Sequence, residues 1–238
     1  MAITVVHATR LAGVTSGTIA STTGGNCLVA IVGTRNATGT DVITGLTLGG
    51  AADNWASLGA NGRVLAGAAN PGCEISIWID PGCANAQTAV ALQGTPNALS
   101  YLYVLEVSGM GLTPSLDAHA SVINTSAPTT FSSGASGTTV TANELVVGGC
   151  AFGEFIAPTD AAVGPGGAWT NAAYYNDGST GFMYIAGYQV ASATGAFTYS
   201  GSMTGNDYYT AIVATIAPGG LVTATAPPSP MYSMRSMP

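Results

Sequence analysis

Short runs of β-branched and aromatic residues, each closed by Gly, Pro, Asn or Asp, follow one another along the whole chain and leave no room for a long helix. Residues 26–32, 74–79, 98–107 and 208–216 are such runs. Between them lie turn clusters such as Thr23-Gly24-Gly25-Asn26, Asn70-Pro71-Gly72, Asp80-Pro81-Gly82 and Asn176-Asp177-Gly178. Helical periodicity with caps is scarce, so the expectation is about ten to fourteen short strands in a sandwich or barrel. The chain is long enough, at 238 residues, for one such domain with a full core.

Alternation refines this reading. In Glu74-Ile75-Ser76-Ile77-Trp78-Ile79 the three Ile share one face, which is expected to be buried, while Glu74, Ser76 and Trp78 share the other. Trp78 is expected to pack beneath a loop, with a partner contact as the alternative. Tyr101, Tyr103 and Leu105 share a face opposite Leu102, Val104 and Glu106, so that strand is expected to be central and covered on both sides. Residues 17–32 and 137–150 echo each other: a Thr-rich strand, a short turn ending in Asn, then an apolar strand. Two such units suit a sandwich in which each sheet contributes a similar hairpin.

Charge is the anomaly of the composition. Charged residues make up 6% of the chain, against about 25% in ordinary domains, and the net charge of −7 arises with four Arg and no Lys. Affinity for a polyanion rests on Lys and Arg, so nucleic acid and anionic membranes are both expected not to be partners. No run of about 20 apolar residues is present to span a bilayer as a helix. The first residues lack the pattern of a secretory leader, which points to folding in a cytosol. The sequons at Asn36 and Asn124 are then expected to be unused, and Cys27, Cys73, Cys83 and Cys150 to be free thiols. Cys73 and Cys83 bracket an extended run whose ends would lie about 25 to 35 Å apart, too far for a disulfide. Cys27 and Cys150 sit in apolar runs as small buried side chains. There is no C-x-x-C pair and no His at ligand spacing from a Cys, so neither a zinc site nor any cofactor is expected.

No G-x-S-x-G, H-E-x-x-H, phosphate-loop or EF-hand pattern occurs. His119, close to Asp117, has the arrangement of an oriented base, although alternating positions on a strand more simply form a solvated edge. Asp80, Glu106, Asp117, Glu144, Glu154, Asp160, Asp177 and Asp207 are scattered over strand ends and turns, and a glycosidase would need two of them to converge. Trp55, Trp169, Tyr174, Tyr175 and Tyr208 fall at or near turns, where with Asp177 they are candidate contacts for a glycan; the plainer reading is half-core aromatics on strands.

After residue 216 the composition changes. Five prolines (218, 227, 228, 230 and 238) preclude helix and ladder pairing over most of residues 217–238, which read as an extended arm following a β-sandwich domain over 1–216. Its candidate docking residues are Pro227, Pro228, Pro230, Met231, Tyr232, Met234, Arg235 and Met237. The thioethers and the Tyr supply adaptable apolar contact, and Arg235 can pair with a carboxylate of a neighbouring subunit.

One resemblance is carried by residues already quoted. The succession Asn26-Cys27-Leu28-Val29-Ala30-Ile31-Val32, Leu46-Thr47-Leu48-Gly49-Gly50 with Asn54-Trp55, Ile75-Ser76-Ile77-Trp78-Ile79-Asp80-Pro81, Tyr103-Val104-Leu105-Glu106-Val107-Ser108-Gly109, Leu116-Asp117-Ala118 and Asn143-Glu144-Leu145-Val146-Val147 resembles a jelly-roll-type β-sandwich of tailed-bacteriophage virion proteins, also found in bacterial proteins of unassigned role. The resemblance covers about residues 3–216 and brings no catalytic residues with it. It implies a head decoration, fibre or minor tail protein, assembled in the host cytoplasm into a virion. Its partners would be other capsid or tail subunits and further copies of itself, and its role assembly rather than catalysis. A carbohydrate-binding module for host glycans is the alternative from another class, and a glycan-cleaving enzyme the third.

Overall fold

The computed structural model describes residues 2–219 apart from 37–41, 53, 59–62, 66–71, 154–157, 160–162, 165–166, 173, 177–181 and 204. The described residues form strands and turns with no helix, and every strand pairing is antiparallel. The strands of the first half are β1 (Thr4–Ala12), β2 (Ser16–Thr18), β3 (Cys27–Arg35), β4 (Ile43–Leu48), β5 (Ala51–Ala52), β6 (Ala56–Ser57), β7 (Arg63–Leu65), β8 (Cys73–Asp80), β9 (Ala89–Gly94) and β10 (Tyr101–Ser108). Those of the second are β11 (Ser115–Asn124), β12 (Thr130–Ser132), β13 (Glu144–Phe152), β14 (Pro158–Thr159), β15 (Val163–Gly164), β16 (Gly167–Ala168), β17 (Thr170–Asn171), β18 (Tyr175–Asn176), β19 (Met183–Ala191), β20 (Ser200–Met203) and β21 (Tyr209–Ala217).

Of the five sheets among the described residues, four stack face to face, and the fifth is the two-stranded β15-β16. The two inner sheets run β1-β10-β3-β8-β6 and β11-β21-β13-β19-β17; the outer sheets run β2-β9-β4-β5 and β12-β20-β14. This arrangement departs from the expected pair of sheets, and the reason is in the central strands β3, β10, β13 and β21, which are apolar on both faces and so need a layer on each side. Ile75, Ile77 and Ile79 meet Leu145, Val147 and Ile212 in the central core between the inner sheets. The opposite face of β8 is buried as well: Trp78 joins Leu28, Val32, Leu46 and Val90 beneath the first outer sheet, and its Nε1 donates to Ser76 Oγ at 3.0 Å. Glu74 and Ser76 are equally enclosed, so the polar face expected of β8 is not a solvent face. β10 is covered on both sides as its sequence indicates. A third core, with Phe131, Phe152, Phe197 and Tyr199, lies between the second inner sheet and its outer sheet.

The two halves repeat one plan. β1-β10-β3-β8 corresponds to β11-β21-β13-β19, and β2-β9-β4 to β12-β20-β14. Details coincide too. The β1–β10 ladder slips between Val5 and His7, and the β11–β21 ladder between Leu116 and Ala118, so Val6 and Asp117 occupy the same bulge. The turn before β3 places Gly25 at φ 83°, and the turn before β13 places Asn143 at φ 59°. The sequence echo is therefore real, but it is an arch and not a hairpin: β2 pairs with β9 in an outer sheet while β3 lies in an inner one.

Beyond β12 the chain keeps pairing in an unusual way. Ser133, Ser136 and Thr139 donate their backbone N–H to the carbonyls of Tyr199, Phe197 and Gly195, and their hydroxyl oxygens accept the N–H of the same three residues. Three residues of one segment thus match two of the other, with the side chain standing in for a backbone carbonyl. Thr22 does the same with Gln87 in the first half.

Candidate functional site

Because β1, β3, β11 and β13 begin, and β8, β10, β19 and β21 end, at one end of the stack, that end gathers the connection between the halves and residues 217–219, where the arm expected from sequence would start, and is called the arm end. Gly219 N–H donates to Met110 O at 2.7 Å, and a Cβ on Gly219 would run into the backbone of Thr113. The chain is thus fixed to the connection between the halves up to residue 219, and the candidate docking residues 227, 228, 230–232, 234, 235 and 237 lie outside the described residues. Four exposed large apolar side chains also fall at this arm end: Val6, Leu112 (60% exposed), Val140 (80%) and Val190.

The arm end also holds the two carboxylate clusters. In the first half Glu106, 3% exposed, accepts from Thr23 N–H at 2.8 Å and from Asn26 Nδ2 at 2.6 Å, both on the same Oε1, while its Oε2 is buried and has no hydrogen-bond partner. It borders a cleft with His7, Thr9 and Thr22 of about 10 Å³, room for about one water molecule. In the second half β-bulge residue Asp117 accepts Val140 N–H on Oδ2 at 2.6 Å, and Glu144 accepts the Thr141 hydroxyl on Oε1 at 2.5 Å. Burial and the neighbouring Asp117 carboxyl push Glu144 above the ordinary range, and the hydroxyls of Thr141 and Thr215 oppose this only in part. Ladder registers place Glu144 where the first half has Asn26, and Thr215 where it has Glu106. Acid and partner have exchanged strands between the halves.

Asp117 and Glu144 are therefore the carboxylates that converge. They lie close enough beneath a turn for each carboxyl to act on the other, and Asp117 faces Val140 and Glu144 rather than serving to orient His119. The other described acids bind local backbone or amides: Asp80 accepts from Gly82 N–H, Asp207 from Tyr208 N–H, and Glu74 from Asn36 and Val42. Glu154, Asp160 and Asp177 lie outside the described residues. Among those described, no three His, Cys, Asp or Glu side chains form a cluster able to hold a metal ion.

The aromatic residues proposed from sequence as glycan contacts are not brought together. Trp55 packs half-buried on the core of the first outer sheet, and Trp169 is buried against Tyr199 at 4.9 Å in the opposite outer core. Tyr175 stacks on Tyr184, which stacks on Tyr101, forming a column between the inner sheets. Tyr174 is exposed and its carbonyl accepts from Arg10, while Tyr208 is half-buried. A roomier depression, about 240 Å³, lies among Ser16, Gly17, Thr18, Thr47, Gly50, Ala89, Val90 and Ala91 and has no charged or aromatic wall.

All four cysteines are free and buried. Burial pushes the Cys73 thiol up to about 12, against the opposing effect of its contact with Thr210, and raises Cys27 and Cys150 as well. These thiols are packing groups. Asn36 is enclosed, while Asn124 accepts from Ser126 N–H in a local turn. No helix among the described residues is long and apolar enough to cross a membrane. No family model, curated protein or solved structure matches the chain.

Proposed function

We propose that the protein is a structural component of a bacteriophage virion, a head decoration, fibre or minor tail subunit that works by assembly, and that each half is a jelly roll. The strand order supports the second statement: the first half divides eight of its ten strands into β1-β10-β3-β8 and β2-β9-β4-β5, an antiparallel double-sheet arrangement of the jelly-roll kind, with the short β6 and β7 beside β8. The arm end carries the first. It combines the fixed base of a Pro- and Met-rich segment with exposed Leu112, Val140, Val6 and Val190, and apolar side chains gathered at one end of a chain so poor in charge favour contact with another protein.

The test is direct. Particles purified from a lysate of the host carrying the gene should contain the chain at a fixed stoichiometry by quantitative mass spectrometry. A chain ending at Gly219 should fold with an almost unchanged melting temperature and be missing from those particles. Full-length chain absent from the particles overturns the reading; truncated chain still incorporated removes the arm from it.

A further inference from the structure

The arm end of the second half poses a problem in charge. Glu144 is wholly enclosed, its Oε2 has no protein donor, and it meets the carboxyl of Asp117. The groups packed on it from the surrounding elements are Asp117 from β11, the Thr215 hydroxyl from β21 and the Thr141 hydroxyl from the turn; its lateral neighbour on β19 is Ala191. Of these only Asp117 bears an ionisable side chain. The described arginine side chains are engaged elsewhere, Arg10 on the Tyr174 carbonyl and Arg35 over the Phe182 ring. Two carboxylates side by side repel, and the enclosed one, Glu144, also loses its hydration. The first half solves the same position differently, because there the Asn26 amide donates to Glu106 and the bulge residue is Val6. With Glu144 in place of Asn26 and Asp117 in place of Val6, no described side chain donates to Glu144 Oε2, and a shared proton supplies that donor.

We propose that Asp117 and Glu144 hold one proton between them, and that this proton latches the 140–144 turn onto the bulge of β11. Glu144 carries the hydrogen on its enclosed carboxyl and donates it to the Asp117 carboxylate, which in turn accepts Val140 N–H. Losing the proton leaves two anions in contact, and the pair separates by freeing the turn. A carboxyl that stays protonated in the fold beyond its ordinary range near 4.5 contributes stability that is complete at low pH and is lost as pH rises through its folded value. Each unit by which the folded value exceeds the unfolded one is a tenfold factor in the folded-to-unfolded ratio.

Infrared difference spectra of the full chain against E144Q during a pH titration read the proton itself. A protonated-carboxyl carbonyl band that belongs to the pair and persists above the ordinary Glu range is expected, and its absence there overturns the proposal. Urea unfolding across the same range reads the latch. The native chain should lose at least tenfold in its folded-to-unfolded ratio as the band disappears, while Glu144→Gln, which keeps a neutral donor, should lose less. Hydrogen exchange at Val140 N–H should accelerate beyond its intrinsic pH dependence in the native chain and follow that dependence in the variant. Parallel profiles for the two proteins refute the latch even where the shared proton is found, and if Glu144→Gln does not fold, the infrared titration of Asp117→Asn against the native chain decides between the same two outcomes.

Discussion

Gly33 of one half packs directly against Tyr184 of the other. A Cβ at Gly33 would press into the ring of Tyr184, which is held between Tyr101 and Tyr175 and cannot turn aside. Gly33→Ala is expected to destabilise the fold by about 1–3 kcal/mol through overpacking, read as a lower urea midpoint with an unchanged slope. Gly195→Ala, with nothing within 4 Å, should be neutral or slightly stabilising and serves as its control. The cysteines give a second expectation at this scale. Native protein should resist a thiol reagent, and unfolded protein without reductant should take four labels; a native label or a missing fourth contradicts the burial or the free state. Single residues were unevenly legible. Cys73 and Cys83 read correctly because an extended run keeps its ends apart whatever packs on it. The Asp117–Glu144 contact did not, because it depends on a bulge and an arch that bring together residues from separate strands.

The strands themselves were legible from alternation and punctuation, and their layering was not. β10 declared both its apolar faces, whereas β8 carried Glu74, Ser76 and Trp78 on a face that resembles a solvent face until an outer sheet covers it. The echo suffered a subtler slip. Matching the halves by Asn26 and Asn143 sets Leu28 against Leu145, but Leu28 points to an outer core and Leu145 to the central one. The ladders instead match Leu28 with Val146. A shift of one residue exchanges every face of a strand, and apolar residues on both faces conceal it. The hydroxyl pairing of residues 133–139 is invisible to strand propensity, since Ser and Gly disfavour strands and here Ser supplies acceptors. Ser136→Ala should leave Phe197 N–H buried and unpaired, costing about 1–3 kcal/mol in urea unfolding, while Ser136→Thr retains the acceptor and should cost less.

At the scale of the whole molecule the halves share the central core: Ile31, Ile75 and Tyr101 come from one, Leu145, Tyr184 and Ile212 from the other. Neither half alone can cover the inner face of its sheet. The chain is therefore expected to unfold in one calorimetric transition with matching calorimetric and van't Hoff enthalpies, and a fragment ending at Leu112 should be aggregated or molten. Two separable transitions, or a soluble cooperative fragment, would show the halves to be independent. The short connection of residues 109–114 gives this pairing a property that an ordinary dimer lacks. Two free copies meeting through the same apolar faces would come apart on dilution, whereas partners on one chain face each other at a local concentration fixed by the tether. Joined in this way, the copies are also released from the requirement to be identical, and the bulge that holds Val6 in one has been able to hold Asp117 in the other.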